Sequence, residues 1–254
     1  MEILGVGPLA EPAHLVELPK RSPRRYPGLP GKQPAGPPVS LDTTAANKLR
    51  HRFAAGDRVW LFGYGSLIFK ADFPFITRRP ASIKGWARRF WQGSHDHRGT
   101  PESPGRVVTL TPQVGAVCAG MAYLITPEVF AHLDHREKNG YLRVDAELLF
   151  ADGTQAAGLL YVAAADNAAF LGPAPELEIA RQIAAAVGPS GRNRDYLTEL
   201  AAALRALGEE DAHVFAIERH LLALVAGEAE RPPSDSLAAG PGAGSGDPAA
   251  GAAG

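Results

Sequence analysis

Strand-type and helix-type patterns are segregated along this chain. Between about residues 58 and 163 the apolar residues form short runs or alternate with period two. From about 176 to 227 they recur with period 3.6. Strands first and helices afterwards predict an α+β fold, a mixed or antiparallel small curved sheet or β-barrel with flanking helices. The strand candidates are "VWLFG" at 59–63, "ASIKGWARRFWQGS" at 81–94, "RVVTLTP" at 106–112, "VCAGMAYLIT" at 117–126, "YLRVDAELLF" at 141–150 and "AAGLLYVAA" at 156–164. Pro112 and Gly115 separate the third from the fourth. Asp152-Gly153 reads as a hairpin turn between the last two. A helix is expected from Thr126-Pro127-Glu128, with its capping hydroxyl, proline and acid, to about His135. Another presents Leu177, Ala180, Ile183, Ala184 and Val187 and stops at Gly188. A third starts on Asn193 as cap and buries Tyr196, Leu197, Leu200, Ala201, Leu204 and Leu207. "AHVFAIERHLLALVAG" is the last.

The flanks break the pattern. Residues 1–57 include "KRSPRRYPGLPGKQPAGPP", a Pro-rich basic stretch read as an irregular extension, and 228–254 form a flexible Gly/Ala/Pro-rich tail. The folded unit is expected at 58–227. With 26 basic and 27 acidic side chains in 254 residues, no nucleic acid or acidic membrane is expected as partner. No apolar run reaches the roughly 18 residues of a membrane span, and no continuous apolar segment near the start suggests a secretory signal. The single cysteine, Cys118, sits in an apolar run and reads as a buried thiol. A reducing, cytoplasmic setting is expected; the sequence leaves the oligomeric state open.

Four stretches can carry chemistry. "FGYGSLIF" at 62–69 places Gly63-Tyr64-Gly65-Ser66-Leu67 directly after a buried strand. It lacks the Gly-Lys-Ser/Thr ending of a phosphate loop, the third glycine of a dinucleotide fingerprint and the Gly-x-Ser-x-Gly elbow. It reads either as a tight turn or as a rigid loop whose backbone N–H groups face a ligand. "SHDHRGTPESPGRV" at 94–107 is either a polar loop or a ligand-facing segment in which Arg98 pairs with a carboxylate. His95 and His97 share a face there if the strand continues, but no compact further metal ligands follow. "LDHREKNGY" at 133–141 holds Glu137, a surface charge or an acid/base, and Tyr141; His132 and His135 are three apart on a helix. "GPSGRNRDYL" at 188–197 precedes a helix and reads as capping or as an anion site.

Together and in this order, the four stretches resemble the ChaC family of γ-glutamylcyclotransferases. The resemblance covers about 60–222, nearly all of the expected core. Phe69 and His135 stand where tryptophan and tyrosine are usual. The resemblance implies the small mixed barrel-like α+β fold of that family. It also implies cleavage of glutathione into 5-oxoproline and cysteinylglycine, with no metal and no organic cofactor. Glu137, in the Arg-Glu segment, is implied as catalytic acid/base. Other γ-glutamyl substrates, or γ-glutamyl binding without catalysis, are the alternatives.

In that chemistry the substrate's α-amine attacks its own γ-carbonyl, so no activated Ser66 or Cys118 is needed. A reference α-amine titrates near about 8 and a glutamate near about 4.3, which makes the proton transfer uphill by roughly 5 kcal/mol. Glu137 is therefore expected to be desolvated, with a raised pKa. Backbone N–H groups of Tyr64, Gly65, Ser66 and Leu67 are expected to hold the glutamyl carboxylate or the developing oxyanion. Tyr141 is expected to cap the pocket or bond the substrate, and Arg98 to meet the glycine carboxylate or form a structural salt bridge.

Overall fold

A computed structural model describes residues 42–137, 140–163 and 167–229. Five strands close a mixed barrel in the order β1-β3-β2-β4-β5. β1 is Val59–Gly63, β2 Thr77–Ser94, β3 Gly105–Ile125, β4 Tyr141–Phe150 and β5 Gln155–Ala163. All neighbours are antiparallel except β1 and β5, whose parallel pairing of Trp60 with Gly158 and Leu61 with Leu159 closes the barrel. Helices α1 (Thr44–Arg50), α2 (Val129–Arg136), α3 (Glu176–Ala185), α4 (Asn193–Ala206) and α5 (Ala212–Ala229) flank it. A two-stranded ribbon, β6 (Val187–Gly188) and β7 (Gly191–Arg192), lies between α3 and α4. Among the described residues, no helix is long and apolar enough to cross a membrane.

The continuous apolar character of "VWLFG" follows from its position, because both faces of β1 are covered. Val59 and Leu61 pack with Phe130 and Leu133 of α2. Trp60 and Phe62 enter the larger core, which includes Ile179, Leu197, Leu200 and Ile217 from α3, α4 and α5. Gly120 and Gly158 allow close strand approach: a Cβ at Gly158 would stand 2.8 Å from a Leu148 methyl and 2.9 Å from the Trp60 carbonyl.

Several boundaries differ from those expected. The two strand candidates at 106–112 and 117–126 are one strand, β3, which pairs with β2 along almost its whole length. Pro112 and Gly115 fall where the register shifts, opposite Gly85. Both glycines have positive φ (81° and 78°), so the bulge absorbs them without ending the ribbon. Helix α2 begins at Val129, with Glu128 as its cap, because Thr126 and Pro127 close the preceding turn through their carbonyls. Helix α3 ends at Ala185, before Gly188. Its buried face is Ile179, Ala180 and Ile183, while Val187 is exposed in β6. Asn193 is the first residue of α4, not its cap. Its buried side chain accepts from the Arg106 N–H at 2.6 Å and donates to the Arg106 carbonyl at 2.8 Å, pinning α4 to β3.

Helix α1 corrects the reading of 1–57 as irregular throughout. Asn47 is fully buried, donates to the Tyr141 carbonyl (3.1 Å) and accepts from the Arg143 N–H (2.8 Å). Thr43 Oγ1 also donates to the Tyr141 carbonyl, at 2.7 Å. Residues 1–41 of the expected extension lie outside the described residues. The expected tail at 228–254 begins two residues too early, since α5 reaches Ala229; its remainder also lies outside them.

Candidate active site

At one end of the barrel a cavity of about 510 Å³ is lined by every residue expected to act in catalysis or substrate binding: Tyr64, Gly65, Ser66, Leu67, Arg98, Glu137 and Tyr141. Its walls come from the loop after β1, the β2–β3 tip, the C-terminal end of α2, the starts of β3 and β4, Tyr161 of β5, Ser190 and Tyr196 of α4.

The loop is a 3₁₀ turn over Ser66–Ile68. The bonds that close it start at the N–H groups of Ile68, Phe69 and Lys70, so those of Gly65, Ser66 and Leu67 are not used in closing it. Its glycines are spatial requirements. A Cβ on Gly63 would collide with Leu67 Cβ, and one on Gly65 would stand 3.0 Å from both the Tyr196 hydroxyl and a Val108 methyl. Three bonds hold the loop from below. Arg88 Nε donates to the Tyr64 carbonyl (2.7 Å), the Tyr64 hydroxyl to the Tyr161 carbonyl (2.8 Å), and the Tyr123 hydroxyl to the Leu67 carbonyl (2.6 Å). Arg88 is itself fixed by Asp211 at 2.8 Å and by the Ala119 carbonyl.

Glu137 caps the C-terminus of α2, its N–H bonded to the Leu133 carbonyl at 2.8 Å. The helix end is bolted in place one turn earlier. Asp134 and Arg143, almost fully buried, pair through two hydrogen bonds at 3.1 and 2.8 Å, and the Tyr161 hydroxyl donates to Asp134 at 2.6 Å. The Glu137 side chain keeps only 19% of its accessible surface. Burial pushes its carboxyl above the ordinary glutamate range. The neighbouring Arg136 guanidinium opposes this, and Asp72 and Asp96 add to it. Tyr64, Tyr141, Tyr161 and Tyr196 line the same cavity as the carboxylate. Burial is the first cause that raises each of their hydroxyl pKa values, with the Glu137 charge contributing, so all four are neutral donors near pH 7.

The "SHDHRGTPESPGRV" and "GPSG" stretches meet over this cavity. The Ser190 N–H donates to the His97 carbonyl at 2.8 Å, and Ser190 Oγ lies 3.1 Å from His97 Nδ1. Arg98 donates to the Arg192 carbonyl at 3.1 Å, and its guanidinium lies 5.7 Å from the centre of the Tyr196 ring. It forms no ion pair among the described residues. His95, His97, His132 and His135 all line the cavity, but among the described residues no group of three or more His, Cys, Asp or Glu is placed to hold a metal ion. Cys118 is buried on the barrel wall, and burial pushes its thiol up to about 11. Phe69, also in the lining, meets Tyr196 edge-on at 6.1 Å.

Sequence reasoning did not single out Arg136, Asp72, Tyr161 or Tyr196. Arg136 stood inside a quoted stretch, beside Glu137, but was given no role of its own. The tyrosines lie in elements whose apolar pattern already accounted for them.

This chain is 46% identical over 179 residues to γ-glutamylcyclotransferase 2-3 of Arabidopsis thaliana, covering 65% of this chain and 90% of that one. It is 37% identical over 194 residues to the human glutathione-specific γ-glutamylcyclotransferase 1, covering 72% and 87%. A crystal structure of the yeast γ-glutamylcyclotransferase specific to glutathione superposes with a TM-score of 0.62 at 32% identity, covering 65% of this chain and 96% of that one. A family model described as ChaC-like protein matches residues 59–224, from the first barrel strand into the last helix, and the chain belongs to the ChaC-like family.

Proposed function

We propose that this protein is a γ-glutamylcyclotransferase, a lyase that converts glutathione into 5-oxoproline and cysteinylglycine, with Glu137 as acid and base. The observation that carries the reading is a desolvated carboxylate with a raised pKa, in the same cavity as a glycine loop whose N–H groups are left over from its own turn. The names of the relatives agree with it.

Glu137 takes a proton from the substrate's α-ammonium. The freed amine attacks the γ-carbonyl carbon, forming the lactam C–N bond, and the carbonyl oxygen gathers negative charge. Loop N–H groups of residues 64–67 either face that oxygen or hold the α-carboxylate that aims the amine. Collapse breaks the γ-amide C–N bond; Glu137 returns its proton to the departing cysteinyl nitrogen, and the second proton, shed by the attacking nitrogen as it becomes the lactam N–H, converts the released amine to its ammonium form. Atoms balance without water. The raised pKa of Glu137 narrows the roughly 5 kcal/mol gap of the first transfer. The buried rings of Tyr64, Tyr161 and Tyr196 exclude water from the site, and with the Tyr64 and Tyr161 hydroxyls already bonded to the Tyr161 carbonyl and Asp134, the Tyr141 hydroxyl is the one suited to meet the substrate. Arg98, whose guanidinium among the described residues meets a carbonyl and a ring, is suited to the terminal glycine carboxylate. The lone buried thiol fits a reducing, cytoplasmic setting.

The test is a panel of glutathione and γ-glutamyl amino acids, read by mass spectrometry. Glutathione is expected to give the fastest release of 5-oxoproline. Faster turnover of a γ-glutamyl amino acid would reassign the substrate, and no product from any of them would reject catalysis.

A further inference from the structure

We infer that Arg136 is a positioning residue that locks the catalytic carboxylate to the substrate loop. The inference rests on Glu137 being the acid/base. The Arg136 side chain keeps only 19% of its surface and reaches three groups from three segments. Nη1 meets Asp72 Oδ1 at 2.5 Å, Nη2 donates to Ser66 Oγ at 2.9 Å, and Nε lies 3.3 Å from Glu137 Oε1.

The arrangement uses the planar fork of a guanidinium. Asp72, beyond the loop, fixes one Nη; Ser66, within it, takes the other; Nε is then aimed along the side of Glu137. A lysine has one charged nitrogen and cannot hold three partners in one plane. Asp72 is the outer anchor, and it also meets His132 at 3.7 Å on the exposed rim. Glu137 is thereby held by its own helix through Asp134–Arg143 and by the loop through Arg136. The loop has independent supports in the Arg88–Tyr64 and Tyr123–Leu67 bonds, so losing Arg136 frees the carboxylate more than it frees the loop.

Arg136 is also the cation that favours the ionised form of Glu137. The groups coupled electrostatically to the carboxylate are Arg136 of α2, Asp72, Asp96 of the β2–β3 tip, Tyr64 of the loop, Tyr141 of β4, Tyr161 of β5 and Tyr196 of α4. Lys70, Arg98 and four histidines line the same cavity, but the cation that acts on Glu137 is Arg136, 3.3 Å away. Its neutralisation therefore raises the Glu137 midpoint, and the base form is lost at higher pH.

The experiment compares wild type, Arg136→Gln and Arg136→Lys by two readouts: turnover of glutathione against pH, and the midpoint of Glu137 from carbon-13 NMR of labelled side-chain carboxyls, assigned with Glu137→Gln. For Arg136→Gln, kcat is expected to fall about 10–100-fold, by analogy with the cost of small displacements of a reacting group. KM should change less, and both the acid limb of kcat and the NMR midpoint should rise by about 1–3 pH units. Arg136→Lys is expected to restore the midpoint but not the full kcat, because it keeps the charge and loses the fork. A merely structural arginine would leave the midpoint unmoved. Unchanged kcat and midpoint in Arg136→Gln would overturn the inference. If that variant does not fold, full wild-type kcat in Arg136→Lys would overturn it. A wild type that is inert toward the substrates, with the NMR midpoint still rising in Arg136→Gln, would reject the proposed reaction and leave the hold of Arg136 on Glu137 standing.

Discussion

Burial of Glu137 sets a sign for stability as well as for catalysis. Its folded pKa lies above the unfolded value, so its favourable contribution is complete below about pH 4.3 and is lost as pH rises through the folded pKa. Near pH 7 the ionised carboxylate opposes folding, with Arg136 offsetting part of the cost. Glu137→Gln is therefore expected to melt at the same temperature as the wild type or higher at pH 7, while kcat falls by about 10²–10⁴-fold. Melting curves and turnover measured together check this; a folded Glu137→Gln protein with near-normal turnover would contradict it. Glu128→Gln, at the exposed start of α2, should keep full turnover. At this scale the sequence was informative where residue types were unusual for their place: glycines enclosed by apolar residues, or a carboxylate between two core elements. Arg136 was opaque because an arginine at a helix C-terminus already has an ordinary electrostatic reason to be there, and only coordinates show its three partners.

Whole elements were easiest to read where one face meets the core and hardest where tertiary contacts decide. The buried positions of α4 follow their 3.6 period, and the alternation of Val144, Ala146, Leu148 and Phe150 follows the pleat of β4. By contrast, α1 has a single buried residue, the polar Asn47, and so carries no apolar signature. The unbroken β3 was hidden for a different reason: pairing with β2 tolerates Pro112 and Gly115 at a bulge that local propensity reads as an end. Asn47 serves two backbone groups at the start of β4, the Tyr141 carbonyl and the buried Arg143 N–H. Asn47→Ala should lower stability by about 1–3 kcal/mol, since the Arg143 N–H loses its acceptor while the Tyr141 carbonyl keeps the Thr43 hydroxyl. Deletion of residues 1–51 should destabilise comparably, whereas deletion of 1–41 should leave turnover intact. Urea unfolding of the three proteins tests this, and a deletion of 1–51 as stable as the full chain would contradict it.

Across the whole molecule, the barrel gathers residues distant in sequence into one site. Segments 64–70, 92–98 and 132–137, with Tyr141, Ser190 and Tyr196, meet because β1 lies between β3 and β5 while Asn193 pins α4 to β3. The α+β class and the co-location of the four stretches were legible from order and composition together with the family resemblance. The parallel β1–β5 closure was not, because register between distant strands is set by packing that no local pattern records. The central claim is that the nucleophile belongs to the substrate, so the product retains no oxygen from solvent. It is tested most directly by incubating glutathione with the protein in ¹⁸O-labelled water and analysing the products early by mass spectrometry. The account predicts equal amounts of cysteinylglycine and unlabelled 5-oxoproline. Cysteinylglycine accompanied by ¹⁸O-labelled glutamate would show that water attacks the γ-carbonyl, and would contradict it.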